Sequence, residues 1–471
     1  MDRESIEQGL IKKPIAKNGT EFYGADDIMG SSVTPLLLFS TFVAISASFT
    51  FGCATGYSSA AQTGIVADLG LSTAQYSIFG SMLTFGSMFG ALASGKLADL
   101  VGRKPTMLLM DIFFIIGWSA IIFAEDAWYL HLGRLSLGFG SGIQTYLTPV
   151  YVAEITPKNI RGAFSAAHQI LVCVGVSLTF FLGNVIAWRT LAVIGALPCL
   201  LHVFGLFFIQ ESPRWLAKIG KEKQFIDTLQ CLRGVNADVT KEAAEIQESI
   251  ETFSQLSSSR FMEMFEKKYA LALTVVVGTL VIVTLGGSMG IVFYASSIFK
   301  VAGSPISFGT TAIAIIQIPV SALGVLILDG SGRRPVLMAS LIGAGFGSFL
   351  VGSAFVLQDL NQLKELTPAL VLIGVVINLS SFAMAAAIPW VIMSELLPIN
   401  IKGSAGSLAT FIYMFISWIV SYSFNFLLEW SPSGTFFIFA TFSGLAILFV
   451  AKLVPETKGR TLEEIEASIL I

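Results

Sequence analysis

Charged residues and cysteines are both scarce in this chain of 471 residues. Asp, Glu, Lys and Arg make up 13% of it, about half of their share in soluble domains. The four cysteines and three histidines show neither the spacing of a disulfide framework nor that of a metal site. A phosphate-binding glycine loop and a nucleophile beside a base are also missing, so we expect no cofactor and no enzymatic activity.

Long apolar stretches dominate the chain instead. Hydrophobic residues make up 54% of it, and the mean hydropathy is +0.77. Stretches of about 20 apolar residues, each long enough to cross the hydrocarbon core of a bilayer, recur along it. We count twelve, near residues 36–57, 76–97, 105–124, 128–152, 163–186, 188–209, 270–292, 307–328, 335–357, 368–393, 403–427 and 433–453. The sequence therefore predicts an all-α, multi-pass integral membrane protein with twelve transmembrane helices in a lipid bilayer.

A charged turn that contains glycine occurs twice, which indicates an internal duplication. Residues 95–104 read GKLADLVGRK and residues 329–334 read DGSGRR, with Asp99 and Asp329 separated by 230 positions. A proline and another apolar stretch follow each copy. Duplicated six-span units leave this trace in membrane carriers. We therefore predict two pseudo-symmetric six-helix halves, at residues 36–209 and 270–453.

Three polar segments lie outside these halves. Residues 1–35 and 454–471 are predicted tails, and residues 210–269 form a linker whose charged runs predict short amphipathic helices. Most Lys and Arg residues, including those of the linker, fall on one side if the spans alternate. By the positive-inside rule that side is cytosolic, and both termini lie there.

Acidic and basic residues alternate at the predicted cytosolic turns. Glu154 and Glu395 occupy matching places in the two halves, 241 positions apart. We expect each to pair with an arginine, Glu154 with Arg103 and Glu395 with Arg333. Such a network can latch the cytosolic face shut, provided that it is partly buried. The gating candidates are Asp99, Arg103, Glu154, Arg161, Glu211, Asp329, Arg333, Glu395 and Lys402.

Asp111 is an acid inside the third predicted span. An acid within a span is energetically costly and by default indicates a function. Because Asp111 lies near the cytosolic end of its span, we expect it to belong to a charge network rather than to a proton relay.

As an ordered set, these motifs resemble those of the sugar porter family of the major facilitator superfamily. The set comprises the two turns, residues 149–161, the ESPRWL motif at 211–216 and the PETKGR ending at 455–460, and it spans residues 36–465. Residues 293–299 and 389–403 are similar to the plant monosaccharide-transporter branch related to the early-dehydration-responsive proteins. The resemblance implies the major facilitator fold and an alternating-access hexose carrier, with its site between the halves near mid-membrane.

The resemblance also implies several sugar-contacting positions. Gln169 stands where family members hydrogen-bond a sugar hydroxyl, and Trp390 stands where the family stacks an indole beside the pyranose ring. An aromatic ring and amides suit a sugar, which has apolar faces and a polar rim. Gln317 and Tyr294 are further candidates for the path, although a neighbouring helix could equally satisfy the Gln317 amide.

Other positions depart from the family pattern. The usual glutamine pair and asparagine of span 7 become Val283-Thr284 and Met289, and we keep Thr284 and Met289 as candidate contacts. Each lost polar contact weakens binding by about 1–3 kcal/mol where its partner is left unpaired. Hexose stays the expected substrate class.

The position that couples transport to protons differs as well. Proton-driven sugar porters carry an Asp after Gly-Tyr in span 1, near the span 4 arginine; this chain has Ser58 there, and the arginine is Arg134. We therefore expect facilitated diffusion. Two alternatives stay open: a proton-coupled symporter or exporter in which Asp111 substitutes, and a non-transporting sugar sensor. The expected partners are a sugar and, in the coupled case, protons, with no nucleic acid. We expect a monomeric unit in the vacuolar or plasma membrane of a plant cell.

Overall fold

The computed structural model of this chain describes residues 33–157, 161–234, 237–256, 264–361, 364–398 and 401–456. These residues form α-helices joined by short connections, and no strand occurs among them. Most of both predicted tails and residues 257–263 of the predicted linker lie outside the described ranges.

Seven helices of the described chain make up the first half. They are α1 (Pro35–Ala60), α2 (Gln62–Leu69), α3 (Thr73–Val101), α4 (Arg103–Ile122), α5 (Ala127–Ile155), α6 (Arg161–Gly183) and α7 (Trp188–Leu206). Six of them are long, and each coincides with one predicted span. The short α2 was not predicted; it continues α1 after a break at Ala61.

The linker and the second half supply the remaining helices. The linker contains α8 (Pro213–Lys218), α9 (Glu222–Arg233) and α10 (Thr240–Leu256). The second half contains α11 (Lys267–Leu285), α12 (Ser288–Val301), α13 (Ile306–Ser331), α14 (Arg333–Asp359), α15 (Thr367–Ala385), α16 (Ile388–Leu396), α17 (Lys402–Trp430) and α18 (Pro432–Leu453). The predicted spans 7 and 10 are therefore each divided into two helices.

The prediction for span 7 ended too early. The helical segment continues past residue 292 to Val301, with a break between α11 and α12. At this break Gly287 has a φ of +80°, which side chains rarely adopt, and a Cβ there would lie 2.6 Å from the ring of Phe439.

Ten helical segments of the described chain are long and apolar enough to cross a membrane, judged by length and composition. The other two predicted spans are also helical. One is α5, which carries His131, Arg134 and Gln144, and the other is α6, whose apolar part Ala167–Gly183 is shorter. The architecture thus agrees with the predicted all-α arrangement of two six-helix halves.

Local capping explains where several helices begin. Thr34 accepts a hydrogen bond from the first turn of α1, and Asp126 does the same for α5. Ser72 and Gln75 form a capping box at the start of α3. Each device provides an acceptor for backbone N–H groups that a helix start leaves unpaired.

Glycines allow close approach of helices within each half. A Cβ on Gly142 of α5 would lie 2.9 Å from the Cα of Gly90 in α3. In the second half, a Cβ on Gly374 of α15 would lie 2.8 Å from the backbone oxygen of Gly347 in α14. Small residues at such contacts are the usual way for transmembrane helices to pack.

The main contacts between the halves in the described chain join three helix pairs, α3 with α17, α6 with α13 and α1 with α12, and α2 adds a smaller contact with α12. We call the side of the bundle that carries α8–α10 the linker side, and the opposite side the far side. Described hydrogen bonds between the halves lie toward the far side, and they include Ser59–Ser296 at 2.9 Å, Ser77–Asn425 at 3.2 Å and Asn184–Thr310 at 3.0 Å. The far side of the interface is therefore closed in this structure.

Candidate functional site

Arg134 of α5 is a buried cation surrounded by neutral groups. Its Nη1 donates to the backbone oxygen of Ala54 at 2.6 Å, and its Nη2 donates to the Ser58 hydroxyl. The guanidinium carbon lies 4.8 Å from the centre of the Phe79 ring, a cation–π distance. Within the described part of the chain, no carboxylate forms an ion pair with Arg134. The structure thus brings Ser58 and Arg134 together, with a hydroxyl where an acid would pair.

Asp111 pairs with a residue that the sequence analysis did not select. Its Oδ2 lies 2.7 Å from Nδ1 of His202, and both side chains are buried. Asp111 belongs to α4 and His202 to α7, so this contact joins two helices of the same half. It is separate from the described contacts of Arg103. The sequence feature that could have indicated this pair was the histidine within predicted span 6.

Arg103, at the start of α4, forms a bidentate ion pair with Glu154 of α5. The two N–O distances are 2.9 and 2.7 Å, and the side chains are only 8% and 12% exposed. Arg103 also lies 3.4 Å from Asp99, which pairs in turn with Lys218 of α8 at 3.0 Å. The network therefore joins α3, α4, α5 and the linker at the linker side.

Glu211 binds the N-terminus of α4 beside this network. Its carboxylate accepts the backbone N–H groups of Arg103 at 3.0 Å and Lys104 at 3.1 Å. Unpaired N–H groups and the helix dipole favour a carboxylate at this place. Burial raises the pKa of Glu211, although these hydrogen bonds act in the opposite direction. Gly102 makes room for it, because its φ is +103° and a Cβ there would lie 2.6 Å from Glu211 Oε2.

The second half repeats this arrangement. Glu456 accepts the backbone N–H groups of Arg333 at 3.1 Å and Arg334 at 3.2 Å, at the start of α14. Gly332 has a φ of +86°, and a Cβ there would lie 2.9 Å from Glu456. Arg333 also pairs with Glu395 at 3.3 Å. Glu456 was not among the sequence candidates, although its motif follows the second half as the ESPRWL motif follows the first.

The side chains of three gating candidates, Arg161, Asp329 and Lys402, lie outside the described part of the structure. Their backbones belong to α6, α13 and α17. Their places in the network stay predictions.

The two candidate amides belong to helices of opposite halves that contact each other. Gln169 lies on α6 and Gln317 on α13, and both side chains lie near the Cys173 thiol. The Gln169 amide donates to that sulfur at 3.9 Å, and the Gln317 Oε1 has no hydrogen-bond partner in the described chain. Because sulfur is a weak acceptor, both amides keep most of their hydrogen-bonding capacity. Such a pair is suited to a ligand rich in hydroxyl groups.

The other candidate sugar contacts, from spans 7 and 10, differ in burial and in the interactions that their side chains already make. Trp390 of α16 is half-buried and lies edge-to-face with Tyr413, with ring centroids 5.1 Å apart. The Thr284 hydroxyl donates to the backbone oxygen of Leu280 at 2.6 Å, so it is satisfied within its own helix. Met289 is half-buried in the first turn of α12.

Tyr294 interrupts the helical geometry of α12 and inserts its ring between the halves. Its φ and ψ are −127° and 25°. The ring stacks on Phe424 of α17 with centroids 5.4 Å apart, and its hydroxyl lies against Gly80 of α3, where a Cβ would collide with it. The structure thus places Tyr294 at the closed part of the interface. The sequence did not predict the contact of Gly80 with Tyr294, because that contact joins distant parts of the chain.

The profile of the family described as "Sugar (and other) transporter" matches residues 37–468 of this chain. Sugar transporter ESL1 of Arabidopsis thaliana is 49% identical over 99% of this chain and 97% of its own length. Sugar transporter ERD6-like 10 of the same plant is 49% identical over 93% of this chain and 96% of its own. Sugar transporter ERD6 is 44% identical over 99% of both chains.

Solved structures of another transporter share the fold. The xylose transporter XylE from E. coli in its inward open conformation superposes with a TM-score of 0.79 and 23% identity, covering 92% of this chain and 100% of that one. The proton:xylose symporter XylE bound to 6-bromo-6-deoxy-D-glucose gives 0.74 and 24%, covering 92% and 99%. At such identity the likeness shows the fold alone. The family profile and the relatives carry the assignment: this chain belongs to the sugar (and other) transporter family and, within it, to the ERD6-like branch of the sugar porters.

Proposed function

We propose that this protein carries a hexose across a membrane by alternating access, with its sugar site between the two halves. The observation that carries the proposal is the placement of Gln169 and Gln317 on contacting helices of opposite halves, each with hydrogen-bonding capacity left. A site between the halves can open first to one side of the membrane and then to the other as the halves move apart on each side. Trp390 adds an aromatic surface for the apolar face of the ring. The relatives' names, all of them sugar transporters, support the substrate class.

The mode that we propose is facilitated diffusion. Arg134 donates to the Ser58 hydroxyl, and no described carboxylate pairs with it. A serine hydroxyl keeps its proton throughout the physiological pH range, so this contact offers no site for proton exchange. The buried Asp111–His202 pair favours proton coupling as the second candidate, because a carboxylate and an imidazole can exchange a proton.

The proposed cycle follows from the contacts between and within the halves. Bonds such as Ser59–Ser296 and Asn184–Thr310 close the far side and must break when it opens. The Arg103–Glu154 pair joins helices of one half at the linker side, and we propose that the network around it latches that side when it closes. The Lys and Arg distribution supports a cytosolic linker side, so we propose that the closed far side faces away from the cytosol.

The finer assignments follow the sequence analysis. We propose six-helix halves at residues 36–209 and 270–453, a linker at 210–269, and cytosolic tails at 1–35 and 454–471. The functional unit is a monomer in the vacuolar or plasma membrane of a plant cell.

A counterflow assay tests the function and the site together. Purified protein in liposomes preloaded with unlabelled D-glucose should transiently accumulate labelled D-glucose. Replacing both Gln169 and Gln317 by alanine should abolish this accumulation, whereas Gln358→Ala, in the last turn of α14, should preserve it. Normal counterflow in the double variant would refute the site, and no counterflow of any hexose by the parent would refute the function.

A further inference from the structure

Four polar side chains meet where α6 and α13 contact each other between the halves. Gln169 and Cys173 are one turn apart on α6, and Gln317 and Ser321 are one turn apart on α13. We call this set the Cys173 cluster. Gln169 and Gln317 are candidate sugar contacts already, the former by resemblance, whereas Cys173 and Ser321 have had no functional assignment.

Cys173 and Ser321 of this cluster are buried, Gln169 and Gln317 are partly buried, and the hydrogen-bonding capacity of the cluster is largely unused. Cys173 and Ser321 are each 1% exposed, and Ser321, Gln169 and Gln317 all interact with the Cys173 thiol. The Ser321 Oγ and Gln317 Oε1 nevertheless have no hydrogen-bond partner within the described chain. Buried polar atoms in this condition are unfavourable unless a ligand or water bonds them. Two such atoms one turn apart point to a ligand that offers several hydroxyl groups.

The span 7 positions offer only the acceptor capacity of one hydroxyl for this task. Val283 and Met289 lack a strong donor or acceptor, and the Thr284 hydroxyl already donates to Leu280. On the basis of the proposed hexose transport, we propose that Cys173 and Ser321 contact the bound sugar together with the two glutamines, and that the Cys173 thiol faces one position of the ring.

A thiol at this place gives the site a particular selectivity. The S–H group is a weak donor and the sulfur a weak acceptor, so a sugar hydroxyl opposite Cys173 adds little affinity. Ser321 and the amides favour hydroxyl groups, because an analogue that lacks one leaves them unpaired. The site therefore tolerates a deoxy analogue at one ring position and discriminates against deoxy analogues at the positions that face Ser321 and the amides.

The substitution Cys173→Ser tests the contact directly. It replaces a weak hydrogen-bonding group by a strong one of similar shape, so the variant should discriminate against one deoxyglucose that the parent accepts. We expect the ratio of KM for that analogue to KM for D-glucose to rise about 2–10-fold relative to the parent, measured with 1-, 2-, 3-, 4- and 6-deoxyglucose. The matched control is Cys199→Ser, a buried cysteine of α7 that bonds the backbone of its own helix, which should leave all ratios unchanged. Unchanged ratios for all of these analogues in Cys173→Ser would overturn the contact.

Thiol modification gives a second readout that a structural role would not produce. In a protein that keeps Cys173 and carries Cys53→Ala, Cys199→Ala and Cys231→Ser, methyl methanethiosulfonate should inhibit transport. D-glucose should slow this inhibition several-fold, and L-glucose should not. An equal rate of inhibition with and without D-glucose, in protein that transports it, would overturn the inference.

Failure of this inference is distinguishable from failure of the proposed function. If the parent moves D-glucose and neither Cys173 experiment responds, Cys173 does not contact the sugar, whereas hexose transport stands. If the parent moves no hexose at all, the proposed function falls, and the inference falls with it.

Discussion

The Arg134 guanidinium donates to the Ser58 hydroxyl in the core of the first half. Both residues are fully buried, and none of the described carboxylates balances the charge of Arg134. A buried cation that is compensated only by neutral groups is electrostatically costly. This relationship underlies the proposed transport mode and also predicts an effect on stability.

Substituting Ser58 by Asp should stabilise the protein. The new carboxylate would pair with Arg134 and should raise the free energy of unfolding by about 1–3 kcal/mol. Ser58→Asn introduces a side chain of nearly the same shape as Asp but without its charge, so it serves as the control for volume. Thermal unfolding of the purified proteins in detergent measures the difference. An Asp variant no more stable than the Asn variant would contradict the electrostatic picture of Arg134.

Arg103→Ala should destabilise the protein and reduce turnover. It leaves Glu154 nearly buried without its bidentate partner, which should cost about 3 kcal/mol in thermal unfolding. Lys218→Ala is the matched control, because the Lys218–Asp99 pair is about half exposed and is worth about 0–1 kcal/mol. Arg103→Lys should restore only part of the loss, since an ammonium cannot form both bonds. Unchanged counterflow by Arg103→Ala would exclude the proposed gating network.

Gly102→Ala and Gly332→Ala should each destabilise the linker side. Both glycines have positive φ, and an added Cβ would displace the carboxylate that binds the next helix start. We expect a loss of about 1–3 kcal/mol in each case. Gly444→Ala is the control, because it lies within α18 and its Cβ would meet no atom within 4 Å. Equal unfolding temperatures for all three variants would refute the role of Glu211 and Glu456 at these helix starts.

Gly80→Ala should open the far side of the interface. Its Cβ would collide with the Tyr294 hydroxyl, and the stacking of that ring on Phe424 limits how far it can move away. A cysteine at Thr310, which is 1% exposed here, reports the opening in protein without native cysteines. Labelling by a maleimide in detergent should be several-fold faster with Gly80→Ala than with Gly95→Ala, whose Cβ would only touch Tyr146 at 3.8 Å. Equal labelling rates would show that Tyr294 does not hold the far side closed.

The sequence predicted the helices and the duplicated halves because apolar length and repeated motifs are local properties of the chain. It also predicted the Arg103–Glu154 and Arg333–Glu395 pairs, both present here, since charges at the ends of spans have few other partners. The predicted end of span 7 at residue 292 was wrong, since the helical segment continues to Val301, and the break at Gly287 was not predicted because hydropathy does not record backbone conformation.

Two of the missed contacts share one cause. His202 meets Asp111 from a helix 91 positions away in sequence, and Cys173 meets Ser321 from the other half. The sequence shows polar residues within the spans, but without the fold it does not show which of them meet. Glu456 is different, because its motif matched that of Glu211 in position and could have been selected.

Uptake of radiolabelled D-glucose into proteoliposomes, with and without an imposed pH gradient, tests the proposed transport mode most directly. If Ser58 replaces the coupling acid and transport is facilitated, uptake should reach the same equilibrium level with either sign of the gradient, and a protonophore should not change it. Accumulation above equilibrium under an inward proton gradient, abolished by the protonophore, would contradict this mode and identify Asp111 and His202 as the first groups to replace.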